Sequence, residues 1–158
     1  MRLPADRCPD WGRTRRAVVL AVVLVLGVSG CQSEQEQYCD AVKDHQQELS
    51  EVLGDGSPDA LLKALPIFED LADDAPDDIR DDWKTVIDAL DGLQEALDDA
   101  GVDPATYDRD HPPAGLSEAD QEAIDQAAAQ VGSQASTTAF NAVDQEAKDV
   151  CGTPLQLG

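Results

Sequence analysis

The stretch that decides the fold runs from Pro76 to Gly101 and has the sequence PDDIRDDWKTVIDALDGLQEALDDAG. Its large apolar residues recur at alternating spacings of four and three: Ile79, Trp83, Val86, Leu90, Leu93 and Leu97. An α-helix has about 3.6 residues per turn, so this spacing places all of them on one face and predicts a helix with one side in a core. Pro76 and the acids after it favour the start of this helix, and Gly101 favours its end.

Two similar segments precede this helix. Ser33 and Glu36 form a capping box, which predicts a first helix to about Leu53. Its core-facing positions are Tyr38, Val42, His45, Leu49 and Val52. Ser57 and Pro58 predict the start of a second helix, which we expect to continue, kinked, through Pro66, although Pro66 could also separate two short helices. Its core-facing positions are Leu61, Leu65, Phe68 and Ala72.

The remainder of the chain predicts a loop and one more helix. Residues 102–116 contain three prolines and a glycine, which is typical of a loop. Ser117 predicts a last helix that runs toward Val150, with a bend where Gly132 meets Ser133. Its stripe is rich in alanine and consists of Ile124, Ala128, Val131, Ala135 and Ala139. The sequence shows no strand-like alternation, so we predict an all-α, up-down-up-down four-helix bundle.

The first 31 residues have the three parts of a secretory signal: basic residues, an uncharged apolar run from Ala17 to Val28, and small residues before Cys31. Val28-Ser29-Gly30-Cys31 resembles the lipobox of bacterial lipoproteins. The resemblance implies that the Cys31 thiol carries diacylglycerol and that a peptidase cuts before Cys31. The apolar run is shorter than the roughly 20 residues that a transmembrane helix needs. Thr14-Arg15-Arg16 leaves the twin-arginine export route open.

Cleavage would leave residues 31–158: a lipidated tether (31–37), an acidic bundle domain (38–152) and a short tail (153–158). The whole chain has 33 acidic and 11 basic residues. Two acids and five arginines precede Cys31, so 31 acids and six bases remain, a net charge of −25. This charge repels nucleic acid and anionic lipid headgroups, and nucleic acid is not expected as a partner. A solubilising acidic surface is the simplest interpretation.

The cysteines indicate one disulfide. Cys8 leaves with the signal, and Cys31 becomes a thioether in the lipoprotein interpretation. Cys39 and Cys151 then remain in an oxidising compartment, so we predict a bond between them near the chain ends. In an up-down-up-down bundle these two positions lie at the same pole, which agrees with an even number of helices.

Several short motifs are similar to those of small secreted proteins and lipoproteins of actinobacteria. They are Tyr38-Cys39, Ala75-Pro76-Asp77-Asp78-Ile79 with Asp82-Trp83, and Cys151-Gly152. The resemblance is spread over residues 31–158 and implies a small helical extracytoplasmic domain. It implies no activity.

Catalytic motifs are missing from the sequence, so we predict that the protein is not an enzyme. His45 falls on the core face of the first helix, and His111 lies in the proline-rich loop. The sequence has no phosphate-binding glycine loop, zinc-ligand spacing or nucleophile elbow.

One group of acids is not explained by helix capping. Asp98 and Asp99 come at the carboxyl end of the predicted third helix, where the helix dipole disfavours negative charge. Asp103, Asp108 and Asp110 follow in the loop. Carboxylates are ligands that calcium prefers, so these five residues predict a calcium site as the alternative to solvated acids. The stretch lacks the spacing and central glycine of an EF-hand.

We therefore expect a lipoprotein on the extracytoplasmic face of the cell membrane, anchored through Cys31. It would act without catalysis or cofactor, as a binding or envelope-interaction module for a protein, peptide or small ligand. A calcium-binding lipoprotein is the alternative, and an enzyme of unrecognised type is a third hypothesis.

Replacing Cys31 by serine should remove the acylation site and prevent normal maturation of the chain. Mass spectrometry of the amino-terminal peptide from wild-type membranes should show a diacylglyceryl-modified Cys31. A Cys8→Ser variant is the control and should keep the modification. An unmodified Cys31, or a mature chain that begins elsewhere, would contradict the lipoprotein interpretation.

Overall fold

Five α-helices make up the part of the chain that the computed structural model describes, residues 33–157. They are α1 (Glu34–Gly54), α2 (Ala60–Asp73), α3 (Arg80–Asp99), α4 (Glu118–Val131) and α5 (Gln134–Asp149). Residues 33–157 contain no strand, so the all-α prediction is confirmed for them. The predicted signal and Cys31 lie outside the described residues. None of the helices in residues 33–157 is both long and apolar enough to cross a membrane.

Helix α3 has the largest set of neighbours. It packs against α2, α4 and α5, and α1 packs against α2. The six predicted core residues around α3 are buried, except for Leu93, which is half-buried. Trp83 is fully buried, and its ring centroid lies 5.6 Å from that of Phe68. Gly101 ends the helix with a φ of 65°, and the N–H of Val102 donates to the Leu97 carbonyl at 2.9 Å, as in a Schellman motif.

Helix α1 forms as predicted, whereas α2 and α3 begin later than predicted. Helix α3 starts at Arg80 and not at Pro76, because the Ile79 N–H donates to the Pro76 carbonyl at 3.2 Å in a turn before the helix. The Ser33–Glu36 capping box is present, and α1 continues to Gly54. Ser57 does not cap α2 with its side chain. Its carbonyl instead accepts a hydrogen bond from the Ala60 N–H at 3.1 Å in a turn before the helix. The prediction that α2 is one helix through Pro66 is confirmed.

The core face of α2 also differs from the prediction in one position. Leu61 is 42% exposed, so its assignment to the core is wrong. The buried residues of α2 lie on a face rotated away from Leu61, and they are Ala60, Ala64, Leu65, Ile67, Phe68 and Leu71. Leu65 and Phe68 belong to both the predicted and the observed core residues of α2. A repeat of four and three residues fits two neighbouring faces of one helix, and these two residues lie where the faces overlap.

The predicted last helix is two helices. Gly132 ends α4, and Ser133 caps α5 by accepting a hydrogen bond from the Ser136 N–H at 3.2 Å. The Ser136 hydroxyl donates to the Gln130 carbonyl at 2.7 Å, which satisfies one of the carbonyls at the end of α4. This interruption changes the helical phase. The exposed Ala128 and Ala135 therefore do not pack in the core, contrary to prediction.

The predicted disulfide between Cys39 and Cys151 is confirmed, with 5.0 Å between the two Cα atoms. The chain after it packs onto the helices, which the sequence did not predict. Leu155 is 1% exposed and belongs to the core. The Gln46 side chain donates to the Thr153 hydroxyl at 2.6 Å, and the Leu157 N–H donates to the Ser50 hydroxyl at 2.7 Å. The tail is therefore part of the folded domain.

Trp83→Ala should lower the free energy of unfolding by about 3–5 kcal/mol, because it leaves a large cavity beside Phe68. Chemical unfolding followed by circular dichroism measures this change. Leu61→Ala is the control and should change stability by less than about 1 kcal/mol, because Leu61 is partly exposed. Similar losses in the two variants would contradict the central position of Trp83.

Tyr38 lies fully buried beside Trp83, and burial raises the pKa of its hydroxyl to about 12. The Trp83 side chain lowers this pKa, and the carboxylates of Glu146 and Asp144 raise it. Within residues 33–157, neither the Tyr38 hydroxyl nor the Trp83 indole nitrogen makes a hydrogen bond of good geometry. The folded protein thus holds the phenol proton more tightly than the unfolded chain does.

The protein should lose stability between pH 10 and pH 12 through Tyr38. The unfolded chain releases the phenol proton near pH 10 and the folded chain near pH 12. The contribution of Tyr38 to the free energy of unfolding is complete below pH 10, and about 2–3 kcal/mol of it is lost as the pH rises to 12. Urea unfolding at a series of pH values measures the slope. Tyr38→Phe should remove this slope, so an unchanged slope in that variant would contradict the assignment.

Candidate functional site

A pocket of about 210 Å³ lies among the start of α2, the carboxyl-terminal half of α3, the 102–116 loop and α4. We call it the loop pocket. Its apolar lining consists of Pro58, Leu62, Leu93, Leu97, Pro104, Ile124 and Ala128, and its polar lining of Tyr107, Arg109 and Asp125. Two connections that are far apart in sequence, before α2 and after α3, thus contribute to one site.

Hydrogen bonds of Asp103 shape the loop on this pocket. The Asp103 carboxylate accepts from the Ala105 N–H at 2.9 Å, and its carbonyl accepts from the Tyr107 N–H at 3.0 Å. An aspartate that binds the backbone two residues on stabilises a tight turn. Pro104 lies inside this turn and has no N–H that would need a partner. The turn brings Pro104 and Tyr107 into the pocket wall.

The polar groups of the pocket are an ion pair and a tyrosine hydroxyl, and the Asp125 Oδ1 atom of the pair makes no hydrogen bond of good geometry among the described residues. The Arg109 Nε lies 2.8 Å from the Asp125 carboxylate. The side chain of Arg109 is 69% exposed and that of Asp125 is 31% exposed, so this ion pair borders solvent. The Tyr107 hydroxyl is buried and has no hydrogen-bonding partner among the described residues. A buried polar group without a partner costs about 1–3 kcal/mol, which a ligand that accepts its hydrogen bond would recover.

The size of the loop pocket limits what can enter it. An apolar cavity of about 150 Å³ can hold benzene, and sites for drug-sized ligands begin at about 300 Å³. The pocket, at about 210 Å³, lies between these values. It therefore suits one large side chain or a ligand fragment of that size.

The two histidines lie apart from this pocket and contact carboxylates. His45 is half-buried on α1, with its Nε2 at 3.8 Å from Asp70 of α2. His111 is largely exposed, and its Nδ1 lies 3.0 Å from Asp108. This hydrogen bond, together with that from the Asp110 N–H, holds the pKa of the Asp108 carboxyl below its ordinary value.

The five acids of the calcium hypothesis do not come together. Asp98 and Asp99 line a shallow depression on α3 with Asp91 and Glu95. The carboxylates of Asp103 and Asp108 accept hydrogen bonds from the loop backbone, Asp108 from the Asp110 N–H at 2.9 Å. Within residues 33–157, no group of three or more histidine, cysteine, aspartate or glutamate side chains is arranged to hold a metal ion. The calcium site stays a prediction without a preformed ligand cluster.

The residues of the loop pocket were not predicted from the sequence. Tyr107 is the one aromatic residue of the 102–116 loop, and Arg109 stands among four acids, Asp103, Asp108, Asp110 and Glu118. An aromatic residue and an isolated arginine in a loop could have been selected as a site. Asp125, however, lies on the polar side of an alanine-rich helix with many acids, and nothing in its spacing distinguishes it.

No protein-family model, curated protein or solved structure matches this chain.

Proposed function

We propose that the protein is a lipid-anchored, extracytoplasmic binding module that acts without catalysis and engages its partner through the loop pocket. The main support for a binding function is the pocket itself. Its lining is mostly apolar, and the buried Tyr107 hydroxyl lacks a partner among residues 33–157. Concave apolar sites with a few polar groups are the usual form of ligand sites.

The proposed location rests on the lipobox-like residues that end at Cys31. The Cys39–Cys151 disulfide supports it, because such bonds form and persist in oxidising compartments outside the cytoplasm. Two acyl chains on Cys31 would give an effectively permanent membrane anchor.

The proposed orientation follows from the short connection to the anchor. Helix α1 begins at Glu34, so Gln32 and Ser33 are the residues between Cys31 and the helix. The three Cα–Cα steps from Cys31 to Glu34 span at most about 11 Å. We therefore propose that the end of the domain with the Cys39–Cys151 bond faces the bilayer and that the 102–116 loop lies at the far end.

This orientation assumes the up-down-up-down arrangement, with α4 and α5 together as the fourth segment. The neighbours support it, since α1 packs on α2, α2 on α3, and α3 on both α4 and α5. The connection between α4 and α5 consists of Gly132 and Ser133, which leaves little chain for a reversal. The disulfide between α1 and the residue that follows Val150 also agrees with an even number of segments.

The non-catalytic part of the proposal is supported by the contacts of the groups that could start a reaction. Cys39 and Cys151 are bonded to each other, and both histidines contact carboxylates. The loop pocket offers a phenol and an ion pair. It holds neither a cysteine nor a histidine in its lining.

The proposal can be tested with a photo-reactive amino acid placed at Ala105 in living cells. Ala105 is exposed beside Pro104 at the pocket, so light should join it to a bound partner. Ala128→Phe in the same chain should fill the pocket and remove the adduct. Ala129→Phe on the same helix is the matched control and should leave it, because Ala129 is exposed and does not line the pocket.

A second position tests the orientation in the same experiment. Asp73 lies at the end of α2, which the proposed arrangement puts next to the bilayer, and it should give no such adduct. Equal adducts at Ala105 and Asp73, or an Ala105 adduct that survives Ala128→Phe, would refute binding through the loop pocket.

A further inference from the structure

We infer that the loop pocket binds one large apolar side chain, aromatic or branched aliphatic, of a basic peptide segment. This inference rests on the proposed function, since it names the chemistry of the partner that the same pocket would bind. Three features of the site carry it: the volume and lining of the pocket, its two polar groups, and the charge of the surrounding surface.

The apolar part of the ligand follows from the apolar lining of the pocket. Leu97 and Ile124, which are buried, and Leu62 and Leu93, which are half-buried, all line it. The volume of about 210 Å³ accommodates a phenyl ring or a branched aliphatic side chain, because a dry cavity of about 150 Å³ already accepts benzene. Burying such a side chain removes its apolar surface from water, which is worth more than tenfold in affinity over alanine.

The peptide part of the ligand follows from Tyr107. Tyr107 lines the pocket, and its hydroxyl is buried and has no partner among the described residues. A phenol donates one hydrogen bond, and a backbone carbonyl next to the inserted side chain is a suitable acceptor. A free hydrocarbon would leave this donor unsatisfied, so the hydroxyl favours a peptide over a purely apolar ligand.

The basic part of the ligand follows from charge. Residues 31–158 carry a net charge of −25, and in the sequence of the loop Asp108 and Asp110 flank Arg109 while Asp103 precedes Tyr107 by four residues. Such a surface attracts cations and raises their association rate. Asp125 adds a partly exposed carboxylate in the pocket lining, and a lysine or arginine of the ligand can share it with Arg109. An acidic segment would meet repulsion from the same groups.

The inference is tested with synthetic peptides and the protein isolated from the cell fraction that contains it, held in zwitterionic nanodiscs if it is membrane-bound. The probe is a short capped peptide with a central phenylalanine between pairs of lysines. Isothermal titration should show saturable one-to-one binding that weakens with added salt. Replacing the central phenylalanine by alanine should weaken binding about tenfold or more.

Variants of the protein assign the binding to the pocket. Ala128→Phe should weaken binding of the phenylalanine peptide at least tenfold, while Ala129→Phe should change it less than twofold. Tyr107→Phe should weaken it about fivefold, which corresponds to one hydrogen bond. Equal weakening by Ala128→Phe and Ala129→Phe would show non-specific attraction to the acidic surface and overturn the inference.

The charge and the peptide nature of the ligand have their own controls. A peptide with glutamates in place of the lysines should not bind, and equal binding of the two peptides would overturn the basic requirement. Absence of saturable binding to the lysine peptide would overturn the ligand class. If the Ala105 adduct formed in cells and disappeared in Ala128→Phe, the proposed function would stand even without peptide binding. Absence of both the adduct and the peptide binding would refute both proposals.

Discussion

The burial of the apolar face of α3 is the contact on which the rest of the structure depends. Trp83 lies in the first half of this face, fully buried beside Phe68 of α2. Leu97 lies near its other end and faces the loop pocket. Because α3 touches α2, α4 and α5, a shift of this one helix would change the packing of three others. Protein interiors are close-packed, so such a shift is costly and α3 fixes the positions of its neighbours.

The sequence predicts those parts of the fold that depend on local chemistry. The Ser33–Glu36 box, the stripe of α3 and its end at Gly101 are decided by residues within a few turns of one another, and all three form as predicted. The Cys39–Cys151 bond was predictable because the lipoprotein interpretation leaves two cysteines, and two cysteines have one pairing available.

The errors arise where tertiary packing or a hydrogen bond outweighs the local pattern. Leu61 continues the α2 repeat, but the helix turns Ala60 and Ala64 inward, where small side chains allow close approach. The last helix continues past Gly132 by its alanine pattern, yet Ser133 and Ser136 form a cap that starts a new helix. Serine in a helix competes with the backbone for hydrogen bonds, so a pattern of apolar spacing alone does not detect the break.

The loop pocket could not be predicted from the sequence, for a related reason. Its walls come from four segments between Pro58 and Ala128, and their proximity depends on how α2, α3 and α4 pack. The acids of the loop suggested a calcium site because a sequence shows how many carboxylates a segment has, but not how they are arranged in space. In the structure, the carboxylates of Asp103 and Asp108 are occupied by backbone N–H groups, so these residues shape the loop. The same negative charge then acts at longer range, on whatever approaches the pocket.

The two ends of α3 differ in how many buried side chains surround them, and this difference bears on binding. Around Trp83, side chains from α1, α2 and α5 are fully buried, and the Cys39–Cys151 bond joins the chain ends. At the loop pocket, α4 contributes one fully buried residue, Ile124, and most of the helix is exposed. Leu97 and Ile124 line the pocket and are buried, but neither belongs to the core cluster around Trp83. A side chain inserted at the pocket would therefore contact a separate group of apolar residues and leave the core around Trp83 in place.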